Sequence, residues 1–267
     1  PLKDSEQTLW EYDQTINARG VRIDLTMVQN AITFNQQFTD SCKAQAQALT
    51  GLENPNSLIQ LKGWIQKRTG KEINSLRKDD LEALIATIGE EDVKTVLQLR
   101  EKTAKTSTAK YEAMERSVCP DGRIRGLLQF YGANRTGRWA GRLVQVQNLP
   151  QNHMKDLDLA RSVVVSGDYE LFTMLYDTPP QVLSELIRTA IIPSDGRRFI
   201  ISDFAAIEAR VLSYLADERW RLDVFQQNGD IYCASASQMF RVPVEKHGIN
   251  GHLRQKGKIA ELALGYG

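Results

Sequence analysis

Residues 199–210 read FIISDFAAIEAR, and this stretch guides the interpretation of the whole chain. A short apolar run ends in Asp203, and a helical pattern of apolar residues begins at Ile207. This order predicts a buried strand that presents a carboxylate at its end, followed by a helix with Glu208 in its first turn. Such a carboxylate can hold a metal ion rigidly or can simply cap the helix, and the pattern leaves both interpretations open.

Residues 251–266 predict another helix, and this one carries a charged stripe. At about 100° per residue, Arg254, Lys258 and Glu261 share one narrow stripe between two apolar flanks. Gly265 leaves the end of the stripe free of side-chain bulk. Arg and Lys one turn apart repel each other unless an anion lies between them, and both residue types bind polyphosphate well. A polyphosphate-binding helix and a buried helix with one solvated edge fit this pattern equally.

Residues 136–150 read TGRWAGRLVQVQNLP and follow a basic region of the chain. Arg138, Gln147 and Asn148 are of the residue types that form hydrogen bonds with base edges and sugars. Residues 94–142 hold eleven basic and four acidic residues, a net charge of +7 in a chain whose net charge is +1. This asymmetry indicates a polyanion-binding surface, although a solvated helix face would also explain it.

The composition is that of a globular protein. The 267-residue chain has 42% hydrophobic and 25% charged residues, which is enough for a real core. Three cysteines and three histidines, without close pairs, argue against a disulfide framework or a zinc site. No apolar run reaches the length of a membrane span, so we expect a cytoplasmic protein without a membrane partner.

Cap and glycine signals predict a helix-rich α+β fold. Ser57 opens a capping-box pattern, and Gly70 ends the helix that follows. One long helix is predicted over residues 92–117, and short strands over residues 21–24 and 123–129. The strand–helix alternation of a doubly wound sheet is absent from the pattern. Further helices are predicted over residues 6–17, 26–49 and 79–88.

Together, these segments resemble the polymerase domain of a family A (DNA polymerase I-like) DNA polymerase. Motif A of that family reads DYSQIELR, and residues 203–210 read DFAAIEAR. Residues 254–267 keep the Arg, Lys and Tyr-Gly of motif B at the family's spacing. The Thr-Gly-Arg and Gln-Asn-x-Pro elements of the family match residues 136–150 at the same length. Residues 260–266 depart from the usual Phe-Gly version in a way that resembles a phage or prophage branch.

The resemblance implies a right-hand polymerase fold with a thumb, part of the palm and part of the fingers. The region 151–185 is longer than is typical of the family, and its role is open. The implied divisions are a segment that leads into the palm (1–25), the thumb (26–118), the palm with motif A (119–215) and partial fingers ending with motif B (216–267).

The resemblance also implies a nucleotide site. Asp203, helped by the carbonyl of Phe204, would bind two catalytic Mg²⁺ ions. Glu208 would be the steric gate that excludes the 2′-hydroxyl of a ribonucleotide. Arg254 and Lys258 would hold the triphosphate of the incoming dNTP, and Lys258 would also protonate pyrophosphate. The implied reaction is attack of a primer 3′-hydroxyl on this dNTP by two-metal phosphoryl transfer.

Further roles follow from the same resemblance. Tyr266 would close the insertion site beside Glu208. Tyr232 stands where the family has a phosphate-contacting His, and Leu262 replaces an aromatic residue near the sugar. Primer–template DNA would be contacted in its minor groove by Arg138, Gln147 and Asn148 and along its backbone by Arg100, Lys102, Lys105 and Lys110.

The family's motif C, a His-Asp-Glu strand, is expected beyond Gly267, since the 267 residues contain no such tripeptide. We therefore expect a fragment of a DNA-directed DNA polymerase that is inactive alone and whose remaining palm and fingers lie in the same gene or on a second chain. The alternatives are an inert primer–template-binding fragment or one half of a split polymerase. A single-subunit RNA polymerase is disfavoured by Glu208 and by Gln147 and Asn148. Such a polymerase would act in the cytoplasm of a bacterial or phage-infected cell.

Overall fold

The computed structural model describes residues 3–73, 75–104 and 106–266, apart from the side chains of residues 78, 79 and 264–266. The chain forms two compact units, Pro1–Arg198 and Phe199–Gly267. Helices dominate and the strands are short, which confirms the predicted helix-rich α+β class. Among the helices of the described residues, none is both long and apolar enough to cross a lipid bilayer.

The first unit contains nine of the helices and all four of the strands found in the described residues. Their bounds are α1 Asp4–Arg19, β1 Val21–Arg22, α2 Leu25–Thr50, α3 Leu58–Thr69, α4 Lys78–Thr87, α5 Glu91–Thr103, α6 Ala109–Ser117, β2 Arg123–Ile124, β3 Leu128–Ala133, β4 Arg138–Gly141, α7 Leu157–Ser166, α8 Tyr169–Leu175 and α9 Pro179–Leu186.

Helix α2 organises the larger core of this unit. Asp24 caps its start by accepting a hydrogen bond from the Met27 amide at 3.1 Å, and Gly51 ends it in the left-handed conformation. Its buried face packs against α6, α7 and α9. The hydroxyl of the fully buried Tyr111 donates a hydrogen bond to the Leu183 carbonyl at 2.7 Å, which joins α6 to α9.

A smaller core lies between α3, α4 and α5, where Leu61, Ile65 and Leu97 are fully buried. The predicted caps of α3 are confirmed. The Ser57 hydroxyl accepts a hydrogen bond from the Gln60 amide at 3.5 Å, and Gly70 has φ of +70°.

The prediction of one helix over residues 92–117 is wrong. Helix α5 ends at Thr103, a 3₁₀ turn covers Thr106–Thr108, and α6 begins at Ala109. The hydroxyl groups in this region compete for backbone partners and lower helix propensity. Thr103 donates to the carbonyls of its own preceding turn.

The strand predictions are confirmed in part. β1 pairs with β2, and β3 pairs with β4, both antiparallel. The strand predicted over residues 123–129 is interrupted between β2 and β3, where Gly126 has φ of +66°. A residue with positive φ breaks the extended backbone that a continuous strand needs.

The second unit is helical, and its residues 199–204 have no regular structure. The strand predicted to end at Asp203 is therefore wrong for this structure, and Ile200 and Ile201 are 88% and 89% exposed instead of buried. A strand draws its hydrogen bonds from a neighbour, and no strand of the described residues pairs with this run. The helices are α10 Ile207–Leu215, α11 Arg219–Gln226, α12 Ile231–Phe240 and α13 Arg254–Tyr266.

Candidate active site

A cavity of about 300 Å³ in the second unit gathers several of the predicted site residues. Asp203 and Phe204 reach it from the irregular segment before α10, and Glu208 reaches it from the first turn of that helix. Tyr232 on α12 and Leu262 on α13 complete this group. The structure thus brings Asp203 and Glu208 to one cavity, which Glu261 also lines, although without the predicted strand.

A larger cavity of about 560 Å³ in the same unit is lined by cations. Arg210, Lys246 and Arg254 line it together with one carboxylate, that of Asp230. Tyr232 lines both cavities. One side chain therefore borders the carboxylate-bearing cavity on one side and the cationic cavity on the other.

Arg254 is held by residues from the start of α12. Its Nε donates a hydrogen bond to Asp230 Oδ2 at 2.8 Å, and its guanidinium carbon lies 5.2 Å from the centre of the Tyr232 ring. The other oxygen of Asp230 accepts from the amides of Tyr232 and Cys233 at 3.0 and 3.2 Å. Asp230 thus caps α12 and orients Arg254, whose guanidinium lines the cationic cavity.

Close packing of α13 against α12 fixes the position of this arginine. Gly257 is buried at the crossing, where a Cβ atom would lie only 2.1 Å from the Tyr232 carbonyl oxygen. Lys258 follows one turn after Arg254 and is half-buried, and it does not line either cavity. The predicted role of Tyr266 concerns a side chain outside the described part of the structure.

The prediction that Glu261 lies on an open charged stripe is wrong. Glu261 is 6% exposed and accepts a hydrogen bond from Arg221 Nη1 at 2.7 Å and another from the Ser235 hydroxyl. Ile259, on a predicted apolar flank, is 58% exposed. The buried face of α13 therefore runs through Gly257 and Glu261, because an internal ion pair draws Glu261 towards α11 and α12.

The predicted DNA-contacting residues lie in the first unit. Arg138 begins β4 and is exposed, and Gln147 and Asn148 are exposed in a 3₁₀ turn over Val146–Asn148. Gln147 packs directly on Gly141, where a Cβ would meet its Oε1 at 2.2 Å.

The cations that were predicted to contact the DNA backbone differ in exposure. Lys102 is exposed on α5, whereas Lys110 is half-buried on α6. Arg100 is also half-buried, and its Nη1 donates to the Asn56 carbonyl at 3.4 Å. Burial lowers the pKa of its guanidinium. Lys105 lies outside the described residues.

Sequence reasoning did not assign Arg210, Asp230 or Lys246 to a site, although all three line the cationic cavity. Asp230 precedes the first turn of a helix, so its capping role could be predicted from the sequence. Its pairing with Arg254 could not, because the two residues are 24 positions apart in the chain. Lys246 sits in the loop between α12 and α13, and no local pattern marks it.

Comparisons with known proteins establish the family and the fold of the chain. A family model described as DNA polymerase family A matches residues 26–267. The chain is 58% identical over 266 residues to the DNA polymerase of Bacillus phage SP02, which covers 100% of this chain and 41% of the phage protein. It is 26% identical over 291 residues to the thermostable DNA polymerase I of Thermus thermophilus, covering 100% of this chain and 30% of that protein.

A solved structure supports the fold. The POL domain of Pol1 from M. smegmatis, in complex with DNA primer-template and dNTP, matches with a TM-score of 0.61 at 20% identity, over 93% of this chain and 40% of that chain. This likeness confirms the predicted polymerase fold, and the phage relative confirms the predicted phage-type resemblance. The chain spans less than half the length of these relatives. With a family model matching nearly all of its residues, the chain belongs to DNA polymerase family A.

Proposed function

We propose that this chain is part of a DNA-directed DNA polymerase that adds deoxynucleotides to a primer 3′-hydroxyl. The observation that carries the proposal is the pair of cavities that share Tyr232. One offers carboxylates for the reacting end of a nucleotide, and the other offers cations for its phosphates. The thumb, palm and fingers divisions predicted from the sequence belong to this proposal.

Asp203 fits a magnesium site, with the carbonyl of Phe204 as a second oxygen donor on the same cavity. Mg²⁺ is usually held by one or two carboxylates together with substrate phosphates and water, rather than by a cage of protein ligands. The described residues contain no group of three or more His, Cys, Asp or Glu placed to hold a metal ion. An ion held by a protein carboxylate together with substrate phosphates and water is consistent with these side chains. Asp203 would hold it with the Phe204 carbonyl. Bound there, Mg²⁺ would neutralise phosphate charge and promote ionisation of the attacking hydroxyl.

The other side chains would position the nucleotide. Arg254, oriented by Asp230, presents a planar donor group to the triphosphate. Lys258 would donate a proton to the leaving pyrophosphate from one turn further along α13. Glu208 and Leu262 border the same cavity as Asp203, so they would set the space around the sugar.

Primer–template DNA is the proposed partner of the first unit. Arg138, Gln147 and Asn148 are exposed on consecutive elements, which supports a role in contacting DNA. The M. smegmatis relative was solved with primer-template DNA and a dNTP. The relatives come from a Bacillus phage and from bacteria, which supports action in the cytoplasm of a bacterial or phage-infected cell.

Primer extension with Mg²⁺ and four dNTPs tests the proposal, using the longest natural form of the polypeptide. Asp203→Asn should lower the incorporation rate by about two orders of magnitude or more. Asp217→Asn is the matched control, because Asp217 is exposed and pairs only with Arg219 among the described residues. Equal extension by the Asp203→Asn and Asp217→Asn proteins would contradict the proposed role of the cavity.

A further inference from the structure

The cationic cavity carries more positive charge than the one carboxylate in its lining can neutralise. Three cations and one carboxylate line it, and two of the cations are already engaged within the unit. Arg210 donates through Nε to the Ala205 carbonyl at 2.9 Å, and its guanidinium lies 4.4 Å from the centre of the Phe225 ring. Arg254 is paired with Asp230.

Lys246 is the remaining cation of this cavity. Among the described residues, no carboxylate lies within ion-pair distance of it. Its positive charge is therefore uncompensated beside a concave surface, where the field of neighbouring cations adds to its own. Such a surface favours a ligand with several negative charges.

The loop that carries Lys246 is fixed at several points. Val244 is buried, and its amide donates to the Ser237 hydroxyl at 3.0 Å. The Glu245 amide donates to the Ile249 carbonyl at 2.9 Å, which closes the loop on itself. Asn250 Nδ2 donates to the Pro243 carbonyl at 2.9 Å. The backbone of Lys246 is thus held in place beside the cavity.

The charges of Arg254 and Lys246 both act on the pKa of the Cys233 thiol. Burial raises the pKa of this thiol, and the charge of Asp230 raises it further. The positive charges of Arg254 and Lys246 oppose this shift. Both cations therefore lie close enough to act on the same buried group.

We propose that Lys246 is a polyphosphate-binding residue that extends the Arg254 site and contacts the distal phosphates of a nucleoside triphosphate. The inference rests on the proposed function, which places the reacting phosphate at the Asp203 cavity. Lys246 lines only the other cavity, so it would meet the end of the triphosphate far from the reacting atom.

Binding of small ligands to the 267-residue chain tests this role without requiring catalysis. Titration calorimetry would use tripolyphosphate, dATP and dAMP, with each variant checked by thermal melting. Lys246→Ala should weaken binding of tripolyphosphate and dATP about tenfold, the loss expected for one charged contact, and leave dAMP within about twofold. Lys246→Arg should restore most of the affinity. Lys256→Ala is the matched control, because Lys256 lies on α13 over the Phe240 ring and does not line this cavity.

The outcomes separate this inference from the proposed function. Unchanged tripolyphosphate binding in Lys246→Ala, with binding lost in Arg254→Ala, overturns the role of Lys246 alone. An equal loss for dAMP and dATP also overturns it, since Lys246 would then not act on the distal phosphates. A loss seen only with a single-stranded oligonucleotide would assign Lys246 to nucleic acid instead. If primer extension fails while Lys246→Ala still weakens tripolyphosphate binding, the proposed polymerase function is overturned and only the contact of Lys246 with polyphosphate is supported.

Discussion

Asp230 uses its two carboxylate oxygens for different purposes. Oδ1 satisfies amides at the start of α12, while Oδ2 accepts the Nε hydrogen of Arg254. An aspartate at a helix start is normally explained by the cap alone. Here the same side chain also links α12 to α13 and limits the orientations of Arg254. A single residue thus couples the formation of a helix to the geometry of the cationic cavity.

Glu208→Ala should relax sugar discrimination in the complete polymerase. Glu208 lines the 300 Å³ cavity with Asp203 and Leu262, and in its proposed role its carboxylate and stem would fill the space that a 2′-hydroxyl needs. Removing this bulk should raise ribonucleotide use relative to deoxynucleotide use by about tenfold or more. Single-nucleotide incorporation with rATP and dATP measures the ratio, with Asp223→Ala on the exposed surface of α11 as the control. An unchanged ratio in the Glu208 variant would show that Glu208 does not exclude the 2′-hydroxyl.

The carboxyl group of Asp121 should titrate far below its ordinary range. Arg125 donates to both of its oxygens, at 2.9 and 2.7 Å, and this hydrogen bonding lowers the pKa of Asp121 to about 2. Its contribution to stability is full above the unfolded pKa and is lost as pH falls through about 2. A carbon-13 NMR titration of labelled aspartate measures this pKa. Arg125→Gln should return it towards 3.8, and a wild-type value near 3.8 would show that the pair is not formed.

The crossing of helices α12 and α13 depends on the absence of a side chain at Gly257. A Cβ at Gly257 would meet backbone and the Ala236 methyl group, neither of which can move aside easily. Gly257→Ala should therefore destabilise the chain by about 1–3 kcal/mol in urea denaturation. Gly63→Ala is the control, because Gly63 lies inside α3 with open space around its Cα and should gain about 0.5–1 kcal/mol. Equal stability of the two variants would show that the helices are not packed as closely as described.

The ion pair of Glu261 joins three helices. Its partner Arg221 is on α11, and Ser235, which donates to it, is on α12. Glu261→Ala takes the buried carboxylate away from Ser235 and from Arg221, which keeps only the more exposed Glu218, so it should cost about 3 kcal/mol. Amide hydrogen exchange in α13 should then accelerate about 100-fold.

An exposed ion pair provides the comparison for Glu261. Glu112 lies 3.5 Å from Arg116, and both side chains are more than half exposed. Glu112→Ala should change exchange in α6 by no more than about fivefold, since surface pairs contribute about 1 kcal/mol or less. Similar effects for Glu112→Ala and Glu261→Ala would indicate that Glu261 is not buried in solution.

Local sequence signals located the ends of α1 to α4 to within two residues. The start of α3 at Ser57 and its end at Gly70 follow from side-chain capping and from the freedom of glycine at positive φ, which are properties of single residues. The break between α5 and α6 was signalled only weakly, by hydroxyl residues near Thr106–Thr108. The strand predicted to end at Asp203 could not be settled locally, because a strand depends on a neighbouring strand.

The two units of the chain differ in the size of their buried apolar cores. The first unit has two apolar cores, whereas the core cluster of the second consists of Cys233, Ala236 and Val244. The second unit depends more on polar pairs, including Arg254 with Asp230. Sequence motifs marked Asp203 and Glu208 as candidate site residues, whereas these polar pairs join residues that are far apart in the chain. Contacts of this kind follow from the fold and leave no local pattern.

The basic region of the first unit should make DNA binding strongly dependent on salt. Lys102 and Arg138 are exposed, so each can release counterions when it contacts a phosphate group. Replacing either by Ala should reduce the slope of log affinity against log salt by about 0.9 for a duplex primer–template, without altering sequence preference. Fluorescence anisotropy over a salt series measures this slope. Lys155→Ala is the control, because Lys155 is exposed outside the 94–142 region. If all three variants keep the wild-type slope, the charge asymmetry reflects only a solvated surface, and DNA must be held elsewhere.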